Sequence, residues 1–592
     1  MPTPTHPELL RRIWKHINRQ RRIQFGILFL AMILASFAEV VSIGAVLPFL
    51  SALTAPDIIF GHPIAEPFIR ALNLTEPKQL LLPLTITFAI CVLLSGTTRL
   101  ILLWLQTRLS HAIGADLSVS IYRRTLYQPY SVHVARNSSE VIASISTKAN
   151  TVVSSTIMPL VTIISSILML LSILLALLAI EPDVAIIGLV GFGAIYMVVI
   201  LVTKKVVQRD SQRINYETGR LIKAIQEGLG GIRDVLIDGT QATYCSIYRD
   251  ADLPMRRARA NIAIIGSSPR FAIEAIGMVL IASLAYSLAG RSSSITSAMP
   301  VLGAMVLGAQ RMLPVLQAFY ASWTLMRGGQ AYLNDTLNLL DQSLPDYADG
   351  PPQTLMSFQN SITLNNLAFQ YSKDAPWVLR KGFNFSIKKG SRIGFMGATG
   401  SGKSTLLDVI MGLLQPTLGS LEIDGINISE QNRRGWQAHI AHVPQEIFLA
   451  DTSIAENIAF GVPVEKIDYA RVNQAANRAQ IAKTIETWSN KYNTLIGERG
   501  VRLSGGQRQR IGIARALYKK ADVIVFDEAT SSLDNDTERT VMETIDSLGD
   551  ELTVIIVAHR LTTLKNCTHV VEMENGKVKR CGTYEEIVGI VA

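Results

Sequence analysis

Hydrophobic positions along the chain fall into two regimes. Between Ile23 and Trp323 they form six long apolar runs, approximately 23–50, 80–105, 157–180, 184–203, 262–289 and 297–323. A membrane-crossing helix needs about 20 mostly apolar residues, because the hydrocarbon core is about 30 Å thick and a helix rises about 1.5 Å per residue. All six runs meet that length. The pattern predicts a six-helix, all-α transmembrane domain over residues 23–326, preceded by a basic cytoplasmic segment, 1–22. The third run carries no charge, whereas the second, fifth and sixth each contain one arginine. From Phe358 onward the apolar runs shorten to four or five residues between polar stretches, the pattern of buried strands in an α/β domain over 358–592. Residues 327–357 read as a helix extension and linker, ending in the turn-rich Asp346-Tyr-Ala-Asp-Gly-Pro-Pro352.

Basic residues set the orientation. Arg11, Arg12, Lys15, Arg19, Arg21 and Arg22 precede the first run, while residues 51–79 hold only Arg70 and Lys78 against Asp57, Glu66 and Glu76. Lys/Arg excess marks the cytoplasmic side, so the N-terminus is expected inside. The first run is about twice the length of a signal-peptide core, which argues against cleavage. Short external connections join the third to the fourth run, through Glu181-Pro182-Asp183, and the fifth to the sixth, around Arg291-Ser292-Ser293. The two internal connections, about 106–156 and 204–261, are rich in Arg, Lys and helix formers. They read as helices extending beyond the bilayer.

Composition agrees with a two-part chain. Of 592 residues, 48% are hydrophobic and 17% charged, against roughly 25% charged in average soluble domains. Disordered, collagen-like and disulfide-scaffold classes are excluded. The net charge of +9 suits a membrane protein with cytoplasmic Lys/Arg. No recognisable nucleic-acid module accompanies it, so no nucleic-acid partner is expected. Cys91, Cys245, Cys567 and Cys581 have no metal or disulfide spacing and read as reduced thiols.

The chemistry lies in the second regime. Gly397-Ala398-Thr399-Gly400-Ser401-Gly402-Lys403-Ser404-Thr405 follows the apolar Arg392–Met396 and precedes a helical Leu406–Leu414. Strand, glycine loop and helix form the context of a phosphate-binding P-loop: backbone N–H groups close on phosphate oxygens, Lys403 reaches the β/γ-phosphates and Ser404 can ligate Mg²⁺. A second strand, Val523–Phe526, ends in Asp527-Glu528; the first carboxylate suits a metal and the second a general base for attacking water. Further strands end near Gln445 and His559. Spacing alone leaves those two open between structural and γ-phosphate-sensing roles.

Leu503-Ser504-Gly505-Gly506-Gln507 completes a series: P-loop, Gln445, LSGGQ, Asp527-Glu528, Ser531-Ser-Leu-Asp534 and His559, in that order. Residues 358–592 thereby resemble the ATP-binding cassette (ABC) ATPases, and the six N-terminal runs with two long internal loops resemble the exporter type. The resemblance implies an ABC exporter-type transmembrane domain followed by an α/β P-loop nucleotide-binding domain, and a dimer, expected to be a homodimer, because one chain has one cassette; with no motif degenerate, both of its sites should hydrolyse ATP. Each ATP would lie between one P-loop and the partner's LSGGQ, with Ser504 and Gly506 contacting the γ-phosphate. Tyr371 would stack on adenine, Gln445 would join Ser404 and Asp527 at Mg²⁺, Asp534 would link the two sites, and His559 would act with Glu528 in hydrolysis. Gly497–Gly500 would touch the partner's internal loop. Segments near 128–138 and 232–248 would be coupling helices.

Ionisable residues within the apolar runs are the substrate candidates: Arg99, Arg270 and Arg311, with Glu39 and Glu274. An arginine belt suits phosphate or pyrophosphate, which guanidinium binds in a bidentate way. The competing reading is internal neutralisation, Arg270 by Glu274 one turn on and another arginine by Glu39. The stretches 39–49 and 268–274 resemble the exporter branch containing the bacterial lipid-linked-oligosaccharide flippase of protein glycosylation. That resemblance implies a lipid-linked anionic glycan moved between leaflets of the membrane lipid, in a bacterial cytoplasmic membrane. An exporter of hydrophobic drugs, lipids or peptides is the alternative.

Overall fold

The computed structural model describes residues 5–54, 56–61, 66–136, 141–142, 145, 148–180, 182–271, 274–276, 278–279, 282–283, 295–350, 355–528, 535–546, 552–558 and 560–589. The chain divides into two compact units, one formed by Met1–Gln128 with Arg136–Ser343, the other by Pro129–Ala135 with Leu344–Ala592.

The first unit is helical. Its main helices are α1 (His6–His16), α2 (Arg19–Gly44) and α3 (Leu81–Leu126), then α5 (Met158–Ile180), α6 (Pro182–Gly230), α7 (Ile232–Ile237), α8 (Gln241–Ser267), α9 (Ile295–Gly328) and α10 (Gln330–Leu340); α4 (Tyr130–Val134) belongs to the second unit. Among the described residues, three helical stretches are long and apolar enough to cross a membrane: Arg19–Thr54, Pro77–Leu126 and Ala149–Ala179. Many of their large side chains are exposed, including Leu93, Leu100 and Leu175. Apolar exposure on this scale marks surface destined for lipid or another chain. α3 has 46 residues and α6 has 49, or about 70 Å each at 1.5 Å per residue, more than twice the hydrocarbon thickness. The internal connections are therefore largely helical continuations, as their composition suggested.

One close approach organises this unit. The chain makes a wide π-type turn at Val153–Ile157 immediately before α5, and a glycine faces it from each side. A Cβ at Gly114 of α3 would collide with Val153, and one at Gly329, between α9 and α10, would collide with Ser155 Oγ and lie 2.6 Å from its Cβ. Larger residues cannot occupy these positions without parting the helices.

The second unit contains two sheets. β1 (Ser361–Phe369), β2 (Leu379–Lys388), β4 (Leu418–Ile423) and β5 (Ile426–Asn427) form an antiparallel sheet in the order β2-β1-β4-β5. β3 (Arg392–Met396), β6 (Ile440–Val443), β7 (Val523–Asp527), β8 (Thr553–Val557), β9 (His569–Glu574) and β10 (Lys577–Gly582) form the other, in the order β10-β9-β3-β8-β7-β6. Five of these six strands are parallel, with β10 an antiparallel edge. They are near-continuous apolar runs because both faces of the sheet are covered. Phe395 is level with Val557, Val557 with Asp527, and Phe526 with Val443. The register brings the C-terminal ends of β3, β8, β7 and β6 to one edge. The helices α11 (Lys403–Ile410), α12 (Gly505–Lys519) and α13 (Asn535–Asp546) complete the elements used below.

Candidate functional site: a nucleotide pocket and a membrane ion cluster

β3 ends at Met396 and the P-loop turns directly into α11. Gly397 (φ +148°) lies against the Met573 carbonyl, where no Cβ fits, and Gly402 (φ +98°) lies against the Val378 carbonyl; both conformations favour glycine. The loop tip, Ala398, Thr399 and Gly400, is exposed, as is Ser404, while Ser401, Lys403 and Thr405 are buried. Lys403 Nζ donates to the carbonyls of Gly397 (2.7 Å) and Ala398 (3.1 Å). Burial pulls its pKa below the ordinary lysine value, and the nearby charges of Glu528 and Asp527 act in the opposite direction. Ser401 Oγ is buried without a hydrogen-bond partner among the described residues. Together with the helix N-terminus, whose first N–H groups have no intrahelical acceptor, this arrangement fits a phosphate group.

Two strand ends away, Glu528 has a left-handed backbone (φ +51°), unusual for a residue with a side chain. Its N–H is held by the Val557 carbonyl at 2.9 Å, and its Oε2 accepts from Gln445 Nε2 at 2.8 Å. Gln445 thus reaches Glu528 from the end of β6, leaving its own amide oxygen for another partner. Tyr371 has a half-exposed ring set edge-on to Phe369 at 5.0 Å, with its hydroxyl 3.3 Å from Thr405 Oγ1. An exposed aromatic face beside the P-loop suits a planar base. Ser504 caps α12: its side chain accepts from the Gln507 N–H at 3.2 Å, and Gln507 Oε1 accepts from the Ser504 N–H at 2.9 Å. Leu503 is buried, while Ser504 faces solvent and Gly505 and Gly506 form the first turn.

In the helical unit, Glu39 of α2 is fully buried. Its Oε2 accepts from Ser95 Oγ at 2.5 Å and lies 3.4 Å from Arg99 Nε, both on α3; its Oε1 lies 3.5 Å from Arg311 Nε on α9. Each guanidinium keeps about a third of its side chain exposed, 33% for Arg99 and 32% for Arg311. Arg270 is separate: it pairs with Glu274 one turn on, at 2.9 Å, and both side chains are well exposed.

Comparison with known proteins decides the family. Residues 380–531 match the family described as ABC transporter, and residues 23–309 match the ABC transporter transmembrane region. The chain is an ABC transporter. It is 27% identical over 505 residues to an ATP-dependent lipid A-core flippase of Pasteurella multocida, covering 84% of this chain and 85% of that one. It is 26% identical over 594 residues to the flippase of the same name from Cupriavidus metallidurans, covering 99% and 95%. A solved structure titled as a bacterial Atm1-family ABC exporter with ATP bound has the same fold, with a TM-score of 0.77, 21% identity and 97% coverage of both chains. The transporter is accordingly an integral membrane exporter that binds ATP and couples its hydrolysis to transport.

Within the transporter, the structure brings together the P-loop, Tyr371, Gln445, Asp527 and Glu528, and it places the LSGGQ residues at the start of α12. Asp534 and His559 lie outside the described residues, as do Ser138 of the first coupling segment and Arg291-Ser292-Ser293. The first coupling segment contains α4, which groups with the nucleotide-binding unit; the second contains α7, which groups with the helical one. Sequence reasoning missed Ser95, although its position four residues before Arg99 places both on one face of α3. It also missed Asp408 of α11. Burial, with Asp527 nearby, pushes that carboxyl up to about 6. Asp408 and Tyr371 in turn help raise the pKa of Tyr130 on α4, mainly an effect of that phenol's burial.

Proposed function

We propose that this exporter is a homodimeric flippase that moves a lipid-linked oligosaccharide, or a similar anionic glycolipid, from the cytoplasmic to the outer leaflet of a bacterial cytoplasmic membrane. The observation that carries this reading is the Glu39 cluster. Two guanidiniums from different helices share one carboxylate, so the group holds a net positive charge within apolar helices, where an unneeded charge is costly. The carboxylate draws the two cations to one place by charge, and guanidinium donors suit phosphate oxygens, which accept paired N–H groups. Relatives named as lipid A-core flippases support a lipid-borne cargo. Arg270, with its own carboxylate partner, contributes less to such a site than Arg99 and Arg311.

On the nucleotide side, Ser404, the Gln445 amide oxygen and Asp527 form an all-oxygen donor set that fits Mg²⁺. The ion would neutralise phosphate charge and orient the γ-phosphate. Glu528 accepts the proton of the attacking water, and Gln445 holds the Glu528 carboxylate before ATP arrives. His559 would steady the γ-phosphate, Asp534 would connect the paired sites, and Ser504 and Gly506 of the partner would close over the nucleotide. ATP-driven closure would then move the membrane helices through α4 and α7.

Proteoliposomes loaded with a polyprenyl-pyrophosphate-linked glycan test this reading. Arg99→Gln with Arg311→Gln should abolish lipid-stimulated ATP hydrolysis and flipping while sparing the basal ATPase rate. Flipping at the wild-type rate would overturn the substrate reading without touching the ATPase assignment.

A further inference from the structure

A second polar feature of the helical unit lies away from the Glu39 cluster. Between α2 and α3 is a cleft of about 580 Å³, lined at one end by Arg21, Gln24, Arg108 and His111 and elsewhere by apolar side chains such as Ile27 and Leu105, with Trp104 beside them. Its size falls within the range of small-molecule sites, about 300–1,000 Å³. Both walls place it at the same level. Arg21 and Gln24 flank Ile23, where the first apolar run begins, and Trp104 and Arg108 flank Leu105, where the second ends. The polar end of the cleft thus coincides with the polar–apolar boundary of two helices, a level where tryptophan and long basic side chains are favoured.

The charges at this end are not all equivalent. Arg21 pairs with Asp116 at 2.9 Å and donates to Gln24 at 3.0 Å, so that pair is close to neutral. Arg108 is exposed, and its guanidinium lies over the Trp104 ring, 5.8 Å from the centroid. It leaves a cation at the mouth of an apolar cleft, with exposed His111 one turn further along α3. Arg108 follows Arg99 by nine residues, about half a turn out of phase at 3.6 residues per turn. Arg108 therefore lies on a different face of α3 from Arg99, which meets Glu39.

We propose that this cleft binds an anionic glycerophospholipid, its phosphate-bearing head group at Arg108 and His111 and one acyl chain along Ile27 and Leu105. Cationic head and apolar body are stacked in the order a lipid presents them at the membrane boundary, and basic pockets between helices on the cytoplasmic side suit anionic head groups. The site is independent of the translocated substrate.

Trp104 supplies a local reporter. The full-length protein is reconstituted in phosphatidylcholine vesicles containing either phosphatidylglycerol or phosphatidylcholine with dibrominated acyl chains, and the Trp104 contribution is taken by difference from Trp104→Phe. The brominated anionic lipid should quench that contribution at a mole fraction about fivefold lower than the zwitterionic one. Arg108→Gln should remove the preference while leaving basal ATP hydrolysis intact, and Arg99→Gln with Arg311→Gln should leave it unchanged. Soluble pyrophosphate should not relieve the quenching. Equal quenching by the two lipids, a Trp104 contribution that neither lipid reaches, or relief by pyrophosphate would each overturn the proposal, the last by showing that the site takes a free phosphate group.

Discussion

Gln445 Nε2 holds Glu528 Oε2 at 2.8 Å, joining residues 83 positions apart on the ends of β6 and β7. Glu528 is thereby aimed before nucleotide arrives, with its backbone fixed in a left-handed conformation by the β7–β8 ladder. Glu528→Gln keeps the shape and loses the base. ATP binding should persist while turnover drops by roughly 10²–10⁴-fold, the usual contribution of a positioned base. Nucleotide titration beside steady-state hydrolysis separates the two effects, and near-wild-type turnover would remove Glu528 from the role.

Glu39 sits between two arginines with no exposure to solvent. Glu39→Gln leaves both guanidiniums without their counter-charge; because each keeps about a third of its side chain exposed, the cost should be at most about 3 kcal/mol, the low end for breaking a buried pair. Thermal unfolding in detergent should show a large loss for Glu39→Gln. Much of it should return when Arg311→Gln is added, because a single cation then remains. If the double variant is as unstable as the single, the cluster is not the source of the loss.

The Asp408 carboxyl, pushed up to about 6 from an ordinary 3.8, holds its proton more tightly in the folded chain than in the unfolded one. Its contribution is fully present below about pH 3.8 and is lost as pH rises through about 6, so it opposes stability at neutral pH. Asp408→Asn should raise the melting temperature at pH 7.5 more than at pH 4.5. An equal shift at both values would show that the ionisation is not responsible.

Gly329 meets Ser155 at the π-type turn. Gly329→Ala should cost roughly 1–3 kcal/mol by overpacking, and Ser155→Gly in the same chain should recover part of it. Melting curves of the two single variants and the double variant give the coupling, and strictly additive losses would place the cause elsewhere.

The nucleotide site was legible because each of its parts is a local signal: a glycine loop between strand and helix, two acids closing an apolar run, a capping serine with glutamine three residues on. Long apolar helices were legible for the same reason, since apolar runs record the membrane directly, and the helical nature of 106–126 and 204–230 followed from their composition. Pairing across the fold was not. Nothing near Glu39 in sequence marks Arg99 and Arg311 as its joint partners, 60 and 272 positions away, because which faces of three helices meet depends on packing that periodicity does not encode. The grouping of Pro129–Ala135 with the second unit was invisible to composition for a similar reason: α4 is too short to carry a pattern of its own.

The strand order β3-β8-β7-β6 has a mechanical meaning. Adjacent strands stand about 4.8 Å apart, so the P-loop, the Ala558 end of β8, the Asp527-Glu528 pair and the Gln445 end sit on consecutive divisions of a ruler whose marks are backbone hydrogen bonds. Side-chain repacking elsewhere cannot stretch those divisions. Within one chain the candidate site groups are therefore held at fixed spacing, and timing must come from whatever approaches the ruled edge.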